Sequence, residues 1–566
     1  MHDVVIRGGT VVDGTGAPAR RADVAVRGGR VAAIGDRTET GRETVDASGC
    51  WVTPGFVDPH THLDAQLCWD GSATPMNRHG ITTVVIGLCG FGVAPCAAGG
   101  GEYLARSLER VEEIPYECTR RGVPFTWTSY REYLDHLAGL QLGVNVAGLV
   151  PHSALRVFAM GDRARGQLAN DDDRAAMATE LRDALAAGAL GLATSRGPNH
   201  VDGYGDPVPS RYADERELRA LVDECSDRVW QINIESKFGH DAETVTAELE
   251  RYARWSRDSG ARLTWSPFFA EHGDDVWRAI LRHNADLNAS GVLVAPQVSA
   301  LPVSVLLRFD EPSFLVRIGG WQQIFDGYLD LDPETKLRFL ADGAVRDALK
   351  RADPAAMFAP RFDEWVIASA PSRPGVAGTS LQEAAAQAGC HAVDFMCDQA
   401  IADGLGTLVQ VMVANRDRAG ARELLADART LLGLGDAGAH VMSVTNYRYP
   451  TYILSEIVLR QQSVDLETAV NRMTSSAAEF YGLPDRGVLR AGARADIAVI
   501  DPARLALEPV RVVHDLPGEA PRLYQGAAGY RSVLVNGTRT ILDDEPTGAL
   551  PGTVIRRTTT GSNGLL

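Results

Sequence analysis

Two histidines one residue apart, His60 and His62 in PGFVDPHTHLD, open the chemistry of this chain. They follow a short apolar run, and residues i and i+2 of a strand project to one face. Two imidazoles on one side of a strand end make half a metal site. Further groups of the right type stand at other strand ends. Cys89 lies in IGLCGFG, His152 in LVPHSALR, and Asp436 in LGDAGAH with His440 four residues on. Thr194, Ser195 and Arg196 end another apolar run, with His200 shortly after. Zinc accepts imidazole, thiolate and carboxylate, and a catalytic site keeps one position open for water. Water on such a metal is acidified towards neutrality, and a carboxylate beside it can move the proton to a leaving nitrogen. His60, His62, Cys89 and Asp436 supply these parts. Singly each has a plain explanation: a polar loop residue, a small buried hydrophobe, a turn residue. Jointly, at three separate strand ends, they favour the metal reading.

The elements that must position these groups alternate. The runs GFVDPH, TTVVIGLCG, GVNVAGLVPH, GALGLATS, VWQINIE, RLTWSPF, VLVAPQVS and TLLGLGDAGAH read as strands. Several are separated by helical patterns such as DDDRAAMATELRDALAAG, with Asp171, Asp172 or Asp173 as its cap, and ERELRALVDECSD. Eight strands in such an alternation predict an α/β fold, a (β/α)8 TIM-like barrel with its site at the C-terminal strand ends. Residues 96–125 and 304–379 break the alternation and read as lids or partly helical insertions. Both ends of the chain are strand-rich, with hairpin turns in VVIRGGTVVDG, ADVAVRGGRVAAIG and YRSVLVNGTRTILDD. Since termini often lie close together, one small β-sandwich domain built from both is expected. The expected division is 1–53 and 484–566 for that domain and 54–483 for the barrel. The tail TTTGSNGLL reads as frayed.

Composition narrows the partners. The chain has 566 residues, 45% of them hydrophobic and 23% charged, as in a globular protein. A formal net charge of -17 argues against broad binding to nucleic acid or anionic membranes and leaves a small-molecule substrate. A homo-oligomer stays open. No apolar run is long enough to span a bilayer and no signal peptide is visible, so a cytoplasmic protein is expected. Eight cysteines in so long a chain, with no CxxC, fit a reducing compartment.

Nearly the whole length resembles the D-aminoacylase (N-acyl-D-amino-acid deacylase) branch of the amidohydrolase superfamily. The resemblance rests on PGFVDPHTH, IGLCGFG, GALGLATSR, GDAGAH and AVNRMTSSAAEFYGLPDRGVLRAGARADIAVIDP. The cysteine after the second strand points to that branch. The resemblance implies zinc at the barrel mouth, one or two ions with one preferred. It makes His60 and His62 the first-strand metal ligands, Cys89 the cysteine ligand and Asp436 the catalytic aspartate. The implied activity is metal-dependent hydrolysis of a linear amide, with an N-acyl-D-amino acid as substrate. Cyclic amidohydrolases use a carboxylated lysine on strand four, and GALGLATSR has none.

The chain departs from the family on strands five and six, where the resemblance calls for one metal histidine each. Strand five reads VWQINIESKFGH, so Asn233 or Glu235 takes the place of the ligand; on strand six that place falls near Trp265 to Pro267. Either the metal sits among His60, His62 and Asp436 with Cys89 or Glu235 near it, or His200, His240 or His272 reaches in from a loop. The first is expected, because strand-borne ligands are better fixed. His152 is a substrate contact, a group orienting a ligand, or a bonded histidine of the barrel wall. Arg196 and Arg448 are candidates to clamp a substrate carboxylate. Two other readings stand beside the deacylase: a cyclic-amide or other C–N hydrolase with a rearranged one-metal site, and a silent barrel that binds an acyl-amino-acid-like ligand.

Overall fold

Hydrophobic runs bounded by turn residues become strands here in strict chain order. The computed structural model describes residues 1–36, 40–236, 240–270, 275–310, 318–351 and 359–557, so the tail TTTGSNGLL and His272 lie outside the described residues. Eight parallel strands follow one another around a single sheet: Phe56–Asp58, Ile81–Ile86, Asn145–Pro151, Gly191–Ser195, Val229–Asn233, Arg262–Phe268, Val294–Val298 and Leu431–Leu432. Each matches one of the eight runs read from the sequence. A parallel bridge from Thr61 to Ala437, just beyond the first and last strands, closes the ring at its C-terminal mouth. Ile81–Ile86 is buried at every position, as expected of a strand covered on both faces.

Crossover helices pack outside. Helix Asp171–Ala186 starts one residue earlier than the acidic triplet suggests as its cap. Asn170 is the cap, its side chain accepting the amide of Asp173 at 2.9 Å while the Asp173 carboxylate takes the Asn170 amide at 3.0 Å. Three successive aspartates fill the first turn instead, where the helix dipole favours negative charge.

The strand-rich ends build a nine-stranded sheet that draws on both. Two of its hairpins turn on two-residue loops, Gly28-Gly29 and Asn536-Gly537, all four residues having positive φ. That is the geometry whose twist matches paired strands. Trp51–Pro54 runs antiparallel to Ile497–Ile500, joining the two ends of the chain. Alternate residues, among them Val4, Ile6, Val24, Val26, Val52, Ile497 and Val499, meet in one core. Beyond the sheet the chain returns to the barrel: the Gly552 amide bonds Leu142 O at 2.7 Å and Ile555 bonds Val146 O at 2.7 Å.

Both stretches that break the alternation carry helices. The first holds Gly101–Glu112 and Tyr116–Gly122. The second belongs to a separate compact unit, Pro302–Arg416 with Met442–Val444; the rest of the described chain forms the other unit. That separate unit has a three-stranded sheet of Val303–Leu307, Leu408–Ala414 and Val366–Ser369. Its own core includes Trp321, Phe325, Tyr328, Trp365 and Phe395. Among the described residues, no helix is long and apolar enough to cross a membrane.

Candidate metal centre

The site begins where the first strand ends. Thr61 turns to the second strand, bonding Val85 O through both its amide (3.1 Å) and its hydroxyl (2.8 Å). His60 and His62 therefore face the other way, both buried. The His60 amide donates to Asp58 Oδ1 at 3.1 Å. Burial holds the Asp58 carboxyl well above the usual range. His60 Nδ1 meets the amide oxygen of Gln297, on the seventh strand. An amide oxygen only accepts, so Nδ1 donates and Nε2 is left with a bare lone pair.

That lone pair faces Cys89, whose Sγ lies 3.4 Å from His60 Nε2. The turn after the second strand aims this thiol. Gly87, Cys89 and Gly90 all take left-handed conformations, at φ of 81°, 54° and 78°. For a non-glycine residue that conformation is uncommon and must be held by its surroundings. The Cys89 amide donates to Gln231 Oε1 at 2.9 Å, and Asn233 Nδ2 lies 3.8 Å from the sulfur. A Cβ on Gly87 would come within 2.0 Å of Leu149 O, so glycine is required there.

The last strand closes the group. The Asp436 amide bonds His60 O at 3.2 Å and the His62 amide bonds Ala437 O at 2.7 Å, locking the two strand ends in register. Asp436 Oδ1 then lies 3.3 Å from His60 Nε2 and 3.9 Å from His62 Nε2. Its side chain keeps 25% of its surface open, against 2% for His60, so it stands on the side a substrate reaches. Burial first, then the neighbouring His60 and His440, hold His62 well below the usual histidine range; it stays neutral and free to ligate.

This donor set fits a cation. One ligand atom from each of His60, His62 and Cys89 lies within 4.8 Å of the others. Lone pairs of nitrogen and sulfur that face one another in a buried pocket repel unless a proton or a metal ion lies between them. Two imidazoles, a sulfur and a carboxylate are the donors zinc takes.

The other candidates separate. Asn233 is buried beside the Cys89 sulfur. Glu235 is not there: its side chain is 60% exposed and lies 3.7 Å from Arg196. Arg196 is turned onto the carbonyls of Arg211 (3.3 Å) and Ala213 (2.7 Å) rather than held free for a substrate. Arg448 bonds the carbonyl of Thr445 at 3.1 Å and its hydroxyl. His152 opens the helix His152–Met160, with Thr194 Oγ1 at 2.8 Å and Glu217 Oε1 at 2.7 Å. Both ring nitrogens are thus taken in the barrel wall, and Arg156 bonds the same carboxylate. His200 Nδ1 meets Ser195 Oγ at 2.6 Å and its ring rests against Phe91; His240 is exposed. His440 sits beside the cluster, 4.0 Å from Glu112 Oε2 and 3.6 Å from Glu113 Oε2.

Sequence reasoning missed Gln297 and Glu112, gave Gln231 no role beyond sharing a strand face with Asn233, and bracketed Ser266 within Trp265 to Pro267 without naming it. Ser266, buried on strand six, bonds Gln231 Nε2 at 2.9 Å. Gln297 had a signal, since it lies in VAPQVS on a barrel strand that contributed no candidate. Glu112 had none: it belongs to the helical insertion.

Comparison with known proteins gives the family of the chain. A family model described as the amidohydrolase family matches residues 43–541. An uncharacterized protein of Mycobacterium tuberculosis is 30% identical over 531 residues, 89% of this chain and 85% of that one. D-aminoacylase of Alcaligenes xylosoxydans is 29% identical over 559 residues, covering 98% of each chain. The crystal structure of N-acyl-D-glutamate deacylase from Bordetella bronchiseptica, complexed with zinc and a phosphonate inhibitor, superposes with a TM-score of 0.65. Its identity is 26%, with 98% of this chain and 100% of that chain covered. With a barrel closed around histidine, cysteine and aspartate, and with likeness along nearly its whole length, the chain belongs to the amidohydrolase family, hydrolases of C–N amide bonds, in its D-aminoacylase branch.

Proposed function

We propose that this chain hydrolyses the amide of an N-acyl-D-amino acid, or a related N-acyl compound, with a single zinc ion held by His60, His62, Cys89 and Asp436. The observation that carries the reading is the approach of Asp436 Oδ1 to both imidazoles, at 3.3 and 3.9 Å, beside the Cys89 sulfur. Zinc bound there polarises a carbonyl and acidifies water. Asp436 is the open carboxylate of the group. It takes the proton of the attacking water and returns it to the departing amine, so the acyl group leaves as a carboxylate and the amino acid as a free amine. Gln297 keeps the His60 Nε2 lone pair turned inward. One ion is favoured over two because Asn233 and Ser266 stand where strand-five and strand-six histidines are expected. An amide and a hydroxyl are weaker zinc donors than imidazole. The relatives support the D-amino-acid choice, since two that match 98% of this chain are named N-acyl-D-aspartate deacylase and N-acyl-D-glutamate deacylase. A cytoplasmic setting is proposed with it, because none of the eight cysteines is joined in a disulfide.

The test joins metal analysis with a paired screen. The purified chain is expected to hold about one zinc ion and to turn over N-acyl-D- but not N-acyl-L-amino acids. Asp436→Asn is expected to cut turnover by about 10²–10⁴-fold. No turnover of either enantiomer removes the deacylase reading. A chain without metal after growth in zinc-supplemented medium removes the zinc reading and favours a barrel that only binds its ligand.

A further inference from the structure

His60 and His62 are arranged alike. Each turns Nε2 towards Asp436 and Nδ1 away from it. For His60 the outward nitrogen is held by Gln297. For His62 the outward nitrogen is buried and makes no hydrogen bond, while the Glu112 carboxylate oxygen Oε1 lies 3.4 Å from it. The Glu112 side chain is itself only 4% exposed.

Glu112 is also placed against local preference. It is the last residue of helix Gly101–Glu112, and Glu113 caps that helix in a left-handed conformation, φ 56°. The C-terminal end of a helix carries partial negative charge and favours cations. Two successive glutamates there, with side chains 4% and 8% exposed, raise the local energy unless cationic or donor groups offset them. Histidines of the site are among the groups that face them: His62 against Glu112, and His440 against both. The Glu112 carbonyl also accepts the His440 amide, which pins the helix end to the loop that carries Asp436. A local rule broken at a point of contact with a metal site marks a functional constraint.

We propose that Glu112 is a positioning residue of the metal centre. A turn of the His62 ring brings Nδ1–H onto the Glu112 carboxylate. That bond fixes the tautomer with the Nε2 lone pair facing Asp436 and raises the basicity of the ligand nitrogen. The helical insertion at 96–125 is then a working part of the centre, supplying for His62 what the seventh strand supplies for His60. This inference rests on the zinc reading above.

Zinc affinity of the full chain, measured by competition with a chromogenic chelator, tests it without reference to turnover. Glu112→Ala is expected to weaken zinc binding by about 10–100-fold. Glu112→Gln, which keeps the shape and loses the charge, is expected to weaken it by about tenfold. Glu109→Gln, an exposed site on the same helix, is expected to bind zinc as the parent chain does. The metal-free thermal midpoint of each variant separates damage to the fold from damage to the site. If Glu112→Ala does not fold, the isosteric Glu112→Gln carries the comparison. A parent chain that holds zinc and a Glu112→Gln chain that holds it equally tightly overturn this inference alone. A parent chain that binds no zinc overturns the underlying reading instead.

Discussion

What separates the histidines of the site from buried His79 and His152 is where their ring nitrogens point. His79 spends both on protein, Nδ1 on Thr451 Oγ1 at 2.8 Å and Nε2 on Gln525 O at 3.0 Å, and His152 does the same with Thr194 and Glu217. His60 and His62 each keep one nitrogen for the cluster. The difference yields a prediction for His79. Burial pushes it down to about 4 from 6.5, against the partial support of the Gln525 carbonyl. Above pH 6.5 it is neutral whether folded or unfolded. Between 6.5 and about 4 the unfolded chain takes up a proton that the folded chain refuses, so stability falls as pH falls through that window. The full loss is roughly 3 kcal/mol. A His79→Gln variant is expected to have a flatter stability profile over that range by about this amount. Urea unfolding at a series of pH values gives the difference between the two chains, and parallel profiles would show that His79 does not titrate this way.

At the scale of elements, turns rather than strands decide the geometry. Cys89 and Asp436 both sit at positive φ, flanked by glycines. Gly438 has φ 91°, and a Cβ there would lie 2.4 Å from the backbone oxygen of His62. Backbone cannot swing aside as a long side chain can, so Gly438→Ala must shift one strand end against the other. A displacement of about 1 Å at a reacting centre costs on the order of 100-fold in rate. The expected outcome is a folded chain with turnover reduced by about that factor and with less zinc per chain, read by metal analysis and steady-state kinetics. Unchanged kinetics would mean that the register of the two strand ends does not set the site. Gly435 is under a similar constraint, since a Cβ there would come 2.1 Å from Asp58 Oδ2.

At the scale of the whole molecule, buried charge ties the sheet of the chain ends to the barrel. Arg486 and Asp496 pair with about 5% and 3% exposure. The Asp496 carboxylate also accepts from Asn145 Nδ2 at 3.2 Å, at the start of the third barrel strand, and from the Asn536 amide at 2.7 Å. Removing one partner of such a pair leaves a charge in a poorly solvating interior, which costs about 3–5 kcal/mol. Arg486→Leu is therefore expected to lower the thermal midpoint by several degrees, while Arg486→Leu combined with Asp496→Asn recovers part of the loss. If the double variant is no more stable than Arg486→Leu, the cost lies in packing rather than in the stranded carboxylate. Ligand linkage acts at this scale too: zinc at 100 times its dissociation constant adds about 2.7 kcal/mol, so a chelator is expected to lower the midpoint of the parent chain.

The order of the barrel strands was written in the sequence, because apolar runs, turn residues and helical spacing are local signals that persist in the fold. His60 and His62 were legible for the same reason: two residues apart on a strand means one face. Hairpins at Gly28-Gly29 and Asn536-Gly537 were legible from turn chemistry. Other features depended on tertiary structure. Glu235 and Asn233 alternate equally well on paper, yet only Asn233 turns inward; Glu235 lies past the end of strand Val229–Asn233, where the two-residue period no longer applies. His152 looked like a mouth residue until a helix began at that position and Glu217, from a distant helix, took its Nε2. Gln297 and Glu112 come from elements far apart in the chain, and no local pattern records which side chain will meet which ring nitrogen. Nor does local pattern assign a helix to its core, because an amphipathic helix reads alike whether it covers the barrel or packs within Pro302–Arg416. Periodicity fixes which way a side chain faces within its own element, whereas convergence on a common point is set by closure of the ring and by the long-range packing that holds it closed.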